Sequence, residues 1–375
     1  MAGLYVHIPF CKKKCVYCDF HFSTRYDSYR SALIEKISEE IMWKFRFLDT
    51  ELKTIYFGGG TPSLLNSGEF TLLFDAIQIY SNRNIQEVTL EVNPEDIHEK
   101  NLALWKKHGI NRLSIGVQSL MDHHLNWMNR SHGRSQTFKA LELCFKSGFD
   151  NISIDLIYGL PGLDLKAWEL QLKEILTYPI KHLSAYILTV EKNTTLFYQV
   201  NQGKTKLPED ENILKQYQIL CSLMYSHGFI HYEVSNFCKS GFESIHNSSY
   251  WNDTEYIGVG PSAHSYLKDY RSWNIANNRK YVDASLDSIH WFEKEYLSNN
   301  DRWNEAFLTG FRSHHGVQKR RLEKLGGFSL KEKKLLETKI QSSVIMENDD
   351  SYSLSEKKWL FADQIASEFF RINKK

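Results

Sequence analysis

Six short runs of β-branched and aromatic residues recur along the first half of the chain, at Leu4–Ile8, Thr54–Phe57, Val88–Val92, Arg112–Val117, Ile152–Ile157 and Leu183–Leu188. Strand-like runs separated by helix-length segments point to parallel strands, because a parallel neighbour is reached only through a long crossover. The segments between them agree. Leu33, Ile37, Ile41 and Phe45 repeat at helical spacing, and Leu102, Trp105 and Lys106–Lys107 lead to a stop at Gly109. An α/β fold is therefore expected, with a first unit over 1–230. After about residue 230 the alternation gives way to aromatic-rich loops (231–285), and from about Ile289 the chain reads as helical and charged, in a unit placed at 286–375. No repeat of fixed period and no low-complexity tract interrupts it.

Directly after the first run stand Cys11, Cys15 and Cys18, in the order Cys11-Lys12-Lys13-Lys14-Cys15-Val16-Tyr17-Cys18. Three thiolates hold three irons of a four-iron, four-sulfur cubane, and the fourth iron stays open for chemistry. No fourth cysteine follows; Asp19 and Phe20 occupy the next positions. A competing reading adds His21 to make a Cys₃His zinc site. Such sites staple small loops, whereas this one opens a long α/β chain, so iron is preferred.

Composition narrows the class. With 375 residues, 42% hydrophobic and 24% charged, the chain can bury a large core. Its 46 basic and 45 acidic side chains leave a net charge of +1, which provides no global field for nucleic acid. No apolar run approaches the roughly 20 residues needed to cross a bilayer, so membrane contact would be peripheral at most. The N-terminus enters the first strand run without a basic segment and apolar core of the export type. Cys144, Cys221 and Cys238 are scattered, as reduced cytoplasmic thiols would be.

Polar residues gather at the C-terminal ends of the strand runs, which in a β/α barrel is the ligand-binding rim. Gly58-Gly59-Gly60-Thr61-Pro62 follows the second run, with glycines that admit close backbone approach and expose N–H groups. Glu91-Val92-Asn93-Pro94 follows the third, Gln118 ends the fourth, Asp155 lies in the fifth and Tyr186 in the sixth. Singly, each is explained as a turn or a helix cap. Their recurrence at one rim, below a three-cysteine loop, points to a bound ligand.

These residues carry a specific resemblance. Tyr5, the Cys11–Cys15–Cys18 loop, Gly58-Gly59-Gly60-Thr61-Pro62-Ser63, Glu91-Val92-Asn93-Pro94, Ser114-Ile115-Gly116-Val117-Gln118-Ser119 and Asp155-Leu156-Ile157-Tyr158-Gly159-Leu160-Pro161 resemble the radical S-adenosylmethionine (SAM) family of oxygen-independent coproporphyrinogen oxidases and their relatives, over nearly the whole chain. The resemblance implies a partial (β/α)₆ TIM-like barrel and a C-terminal α-rich, winged-helix-like domain. It also implies a 4Fe–4S cluster on Cys11, Cys15 and Cys18, with the amino and carboxylate groups of SAM on the open iron. The family's SAM contacts fall on Tyr5 and Tyr17 beside the cluster, on Gly59, Gly60 and Thr61 of the glycine loop, and on Glu91, Gln118, Arg130 and Asp155. Carboxylates there suit ribose hydroxyls, and Arg130 suits a carboxylate.

Two departures set the chain apart from the decarboxylating oxidase: Phe20 stands where that enzyme has a further cysteine, and only four residues precede Tyr5. A third clue is positive. His246-Asn247-Ser248-Ser249-Tyr250-Trp251 matches the H-N-x-x-Y-W motif of HemW-type heme chaperones. That branch implies heme as cargo, an acceptor hemoprotein and an electron donor for the cluster as partners. Imidazole is a common axial ligand of heme iron, and Tyr250 and Trp251 offer flat apolar surface. His246 is the first candidate ligand; His231 and His264 compete, and spacing does not rank them. Gly258-Val259-Gly260-Pro261-Ser262-Ala263-His264 reads as a linker after the barrel. The basic Lys319-Arg320-Arg321 alternates with Glu323, Glu332 and Glu337, as on a solvated face, in what reads as a lid or partner-docking module. The alternative function is oxidative decarboxylation of coproporphyrinogen propionates.

Overall fold

The computed structural model describes residues 2–46, 51–79 and 84–372. Met1 and residues 373–375, the two extremes of the sequence readings above, lie outside them. Strands β1 (Ala2–Ile8), β2 (Leu52–Gly59), β3 (Glu87–Val92), β4 (Arg112–Gln118), β5 (Ile152–Tyr158) and β6 (His182–Ile187) lie side by side in sequence order, each parallel to the next. The six sequence runs thus form six strands, extended by a residue or two at most ends. This is the α/β architecture of a partial barrel, with a mostly parallel sheet and crossover helices.

Local chemistry sets the crossovers. The helix Ser67–Gln78 opens on a capping box, in which Asn66 accepts from Gly68 and Glu69 while Glu69 returns to the Asn66 N–H. Helix Glu99–Lys107 ends before Gly109, whose φ of 78° is the left-handed stop expected there. Helix Arg30–Phe45 buries Leu33, Ile37, Ile41 and Phe45, the stripe seen in the sequence. Each such stripe covers a strand face built from Leu4, Val6, Ile55, Phe57, Leu90, Leu113, Ile115, Ile154 and Leu183, all essentially without exposure.

Beyond β6 the structure is more regular than the sequence pattern implies. A hairpin of β7 (Ile230–Glu233) and β8 (Asn236–Cys238) pairs antiparallel with β6. β9 (Tyr256–Val259) returns to the opposite edge and pairs in parallel with β1, so the stretch read as a linker, Gly258–His264, is the end of β9, a turn and the first residue of the next strand. Strands β10 (His264–Leu267), β11 (Tyr270–Asn274) and β12 (Phe292–Tyr296) extend that edge antiparallel, making a sheet of 12 strands among the described residues. These strands are three to five residues long, too short for a period-two pattern to emerge from turn residues. β12 also replaces the helix expected from about Ile289.

A second buried cluster, including Trp303, Phe307, Phe311, Leu322, Trp359 and Phe369, organises the C-terminal residues. Helix Asn299–Gly310, strand Val317–Gln318, helices Lys319–Lys324 and Leu330–Gln341, and strands Ile345–Glu347 and Ser351–Leu354 follow in the order of a winged helix. It is tied to the barrel edge: Val234 N–H donates to Arg312 O at 2.8 Å, and the Trp359 ring meets His231 edge-on at 4.4 Å. Its basic residues serve the fold, with Lys319 on Glu347 at 2.7 Å and Arg321 on Asp253 at 3.0 Å. Among the described residues no helix is long and apolar enough to cross a membrane.

Candidate cofactor site

The cysteine loop leaves β1 and is held against three other segments by its backbone. Cys11 N–H donates to Ser23 O at 3.1 Å, Val16 N–H to Met128 O at 3.3 Å, and Leu196 N–H to Val16 O at 2.8 Å. The glycine loop packs beneath it. Gly59 has φ 105°, and a Cβ there would lie 2.5 Å from the His7 ring; a Cβ on Gly60 would lie 2.6 Å from Phe10 O. Only glycine permits this approach. The loop's N–H groups, read from sequence as free, are used by the fold: Gly59 donates to Glu91 Oε2 at 3.2 Å, Gly60 to Ile8 O at 2.9 Å and Thr61 to Phe10 O at 2.6 Å.

Cys11, Cys15 and Cys18 line one side of a cavity of about 350 Å³ at the C-terminal ends of the strands. Tyr17, Gly59, Gly60, Thr61, Glu91, Gln118, Arg130, Asp155 and Asn247 line it too, so the rim residues and the cysteines converge. Asn93, Ser114 and Tyr186, quoted with the motifs but not assigned a role, also line it. Ser184 was not read at all, and a lone serine in a strand carries no signal.

Arg130 is the fixed cation of the site. Its Nη1 donates to Cys15 Sγ at 3.6 Å, its Nη2 to Gly116 O at 2.8 Å and to Asn93 Oδ1, while buried Nε has no partner. Burial opposes its charge, but Tyr17 and Cys15 outweigh that and hold the guanidinium protonated. Thr61 Oγ1 donates to Cys11 Sγ at 3.5 Å. Burial pushes the Cys11 thiol up to about 11 and Cys18 to about 12. Thiols in such a setting become thiolates only against a strong cation, as iron provides.

The two carboxylates are placed differently. Glu91 accepts from Tyr56 Oη at 2.8 Å and from Gly59 N–H, yet burial pushes it up to about 7, helped by the charge of Asp155. Burial also raises Asp155, opposed by hydrogen bonds from Ser184 and from Ser114 Oγ at 2.9 Å. Gln118 sits at φ 65°, at the irregularity in the β4–β5 pairing. A left-handed non-glycine residue is a mark of local constraint.

Other predicted residues lie elsewhere. Tyr5 does not face the cavity; its hydroxyl bonds His7 Nδ1 at 3.1 Å and its ring stacks on Tyr56. Gly58 is packed between Tyr56, Tyr5 and Glu91. His246 is 1% exposed, its Nδ1 on Thr54 Oγ1 at 2.8 Å and its Nε2 on Tyr250 Oη at 2.9 Å. Burial, with Arg112 nearby, pulls its pKa down to about 3. Trp251 lies under the Arg312 guanidinium, 5.7 Å away. Of the motif helix Ile245–Trp251, Asn247 is the residue that reaches the cavity.

The zinc reading fares poorly on geometry. His21 Nε2 is bonded to Asn278 Oδ1 at 2.7 Å, and among the described residues no group of three or more His, Cys, Asp or Glu is placed to hold a single metal ion. Three thiols along the wall of a cavity that Arg130, Glu91, Gln118 and Asp155 also line fit a cluster with a polar organic cofactor.

Comparison with known proteins gives the same frame. Residues 5–173 match the Radical SAM superfamily. The heme chaperone HemW of Bacillus subtilis (strain 168) is 35% identical over 337 residues, 88% of this chain and 88% of that protein. The heme chaperone HemW of Haemophilus influenzae is 31% identical over 381 residues, covering 98% and 97%. Among solved structures, the coproporphyrinogen III oxidase HemN of Escherichia coli, described as a radical SAM enzyme, has a TM-score of 0.81 at 23% identity, over 98% of this chain and 89% of that one. That likeness is one of fold.

Proposed function

The chain belongs to the HemW family of the Radical SAM superfamily, and from that premise we propose that it is a cytoplasmic heme carrier and chaperone which binds heme and hands it to an acceptor hemoprotein. The observation that carries the reading is the convergence of Cys11, Cys15 and Cys18 with Arg130, Glu91, Gln118, Asp155 and Asn247 on one cavity, in a chain with the H-N-x-x-Y-W sequence and without a cysteine at Phe20.

In this reading Cys11, Cys15 and Cys18 hold a 4Fe–4S cluster, and SAM occupies the cavity beside it. When bound, a reduced cluster with SAM supplies a 5′-deoxyadenosyl radical. The protein's own groups do the holding. A methionyl ammonium only donates, so at the glycine loop it would meet backbone carbonyl oxygens. Arg130, on the cavity wall, is the cation that suits a carboxylate. Glu91 and Asp155 accept from hydroxyls, and ionised Glu91 also favours a cationic ligand. Asn247 lines the same cavity, which brings the motif helix to the cofactor site. A one-electron donor would be the partner that such a cluster requires, and any membrane contact is peripheral.

Hemin titration of the anaerobically reconstituted chain tests this, run beside an assay of coproporphyrinogen with SAM and a reductant. Stoichiometric heme binding, with transfer to an apo-hemoprotein, is the expected result. Carbon dioxide release from coproporphyrinogen by a chain that binds no heme would replace the carrier reading with the oxidase one.

A further inference from the structure

This inference rests on the cluster reading and concerns what orients the hydrogen bonds around its sulfurs. Strands β2 and β3 end alike. Each is followed by a cap-type residue, a proline and a single 3₁₀ turn, with Thr61 before Pro62–Leu64 and Asn93 before Pro94–Asp96. Threonine and asparagine at such a position usually turn the side chain back onto the first free N–H groups of the turn. Neither does so here. Both side chains line the cavity instead, and Thr61 is only 6% exposed.

Their hydrogen bonds form one directed chain. Arg130 Nη2 donates to Asn93 Oδ1, Asn93 Nδ2 to Thr61 Oγ1 at 3.4 Å, and Thr61 Oγ1 to Cys11 Sγ at 3.5 Å. Its direction follows from the chemistry of the guanidinium, which has no acceptor: the amide oxygen of Asn93 must face Arg130, and the NH₂ must face Thr61. The Thr61 hydroxyl then accepts from the amide, and its one hydrogen is left for sulfur. The same guanidinium sends Nη1 to Cys15 Sγ at 3.6 Å, while the Phe20 backbone serves Cys18. Gly116 leaves room for the junction, since a Cβ there would lie 3.2 Å from Arg130 Nη2 and 3.3 Å from Asn93 Oδ1. Asn93 thus bonds the donors of both Cys11 and Cys15.

We propose that Asn93 is a positioning residue for the cluster: by holding the Thr61 hydroxyl on Cys11 and the Arg130 guanidinium on Cys15, it raises the reduction potential of the iron–sulfur centre. Reduction adds one electron from the one-electron donor and makes or breaks no bond. The added negative charge spreads onto the thiolate sulfurs, where hydrogen-bond donors stabilise it. Donors already aimed at those sulfurs need no reorientation when the electron arrives.

Potentiometric titration of the anaerobically reconstituted full chain without SAM, followed by the EPR signal of the reduced cluster, tests the assignment. Thr61→Val removes the hydroxyl at constant shape and lowers the midpoint potential, and Thr61→Ser restores it. Asn93→Asp presents a carboxylate that accepts from Thr61, which turns the hydrogen away from Cys11 and again lowers the potential, in part through its own charge. That charge acts in both backgrounds, so the shift caused by Asn93→Asp is smaller in the Thr61→Val chain than in wild type. Neutral Asn93→Leu runs in the same cycle with the same expectation, and serves where Asn93→Asp holds no cluster. Equal shifts in the two backgrounds overturn the relay, as does a wild-type potential in Thr61→Val. A wild-type chain without iron and acid-labile sulfide overturns the cluster reading itself, a result separate from any shift between variants.

Discussion

Tyr56 lies stacked on His246, ring centroids 5.0 Å apart and 28° between planes, while its hydroxyl donates to Glu91 Oε1 at 2.8 Å. One side chain thus joins the cavity to the helix of the H-N-x-x-Y-W sequence. Glu87 fastens that helix from the other side, accepting from Ser244 Oγ, Ile245 N–H and His246 N–H at 2.9 to 3.2 Å. In this arrangement the histidine and tyrosine of the motif bond each other in the interior, and the asparagine lines the cavity.

SAM affinity should therefore depend on the ionisation of Glu91. With a pKa of about 7, its carboxylate is largely protonated below that pH, and a cationic ligand loses an attractive charge. Affinity measured by isothermal titration should fall between pH 8 and pH 6, and Glu91→Gln should flatten the profile. Tyr56→Phe removes a hydrogen bond that stabilises the ionised form, so its profile should shift to higher pH. Profiles that coincide for wild type and Glu91→Gln would move the ligand away from this carboxylate.

Cluster content should follow three cysteines only. Cys11→Ala, Cys15→Ala or Cys18→Ala should each abolish stoichiometric iron and acid-labile sulfide after anaerobic reconstitution. Cys144 and Cys238 are buried in the core and Cys221 lies against it, so their alanine variants should lower stability and leave iron unchanged. Stoichiometric zinc without sulfide would revive the four-ligand site with His21, against its bond to Asn278.

Arg130→Ala should weaken SAM binding by about ten- to hundredfold, the loss of one charged hydrogen bond worth roughly 1.5–3 kcal/mol in a dry site. Arg130→Lys should recover only part of this, since an ammonium does not reproduce a fork that reaches Cys15, Gly116 and Asn93 together. Equal affinity in wild type and Arg130→Ala, with clusters intact, would place the carboxylate elsewhere.

What could be read in the sequence was what repeats or clusters. β1 to β6 announced themselves because buried parallel strands are continuous apolar runs, and the cysteines and rim residues because polar groups recur at strand ends. β9 did not, since its place beside β1 depends on glycine packing against backbone far away in sequence, as Gly260 at its end does with His7 O. The roles of Tyr5 and His246 were equally hidden. Both belong to motifs at the site, but which neighbour a ring stacks on is decided by strand register, as Tyr5 opposite Tyr56 illustrates. Spacing alone left three histidines level; burial separates them.

Acid should destabilise the fold through its buried histidines. Burial pulls His7 down to about 4 and His231 and His246 to about 3. Near pH 7 these rings are mostly neutral in both folded and unfolded chains. As pH falls below 6.5 the unfolded chain takes up protons that the folded one refuses, so stability present above that pH is lost toward pH 4. Glu91 and Glu233, both pushed up to about 7 by burial, act in the opposite sense between pH 7 and 4.5, because there the folded chain holds their protons. The histidine contribution is isolated by comparing slopes. Within the window each ring adds up to about 1.4 kcal/mol of unfolding free energy per pH unit. Urea unfolding at pH 7, 6 and 5 should therefore show a shallower loss for His246→Gln than for wild type, by close to one proton, whatever the variant's stability at pH 7. Parallel slopes would mean that His246 is protonated in the folded chain, and that its bonds to Thr54 and Tyr250 are not those of a neutral ring.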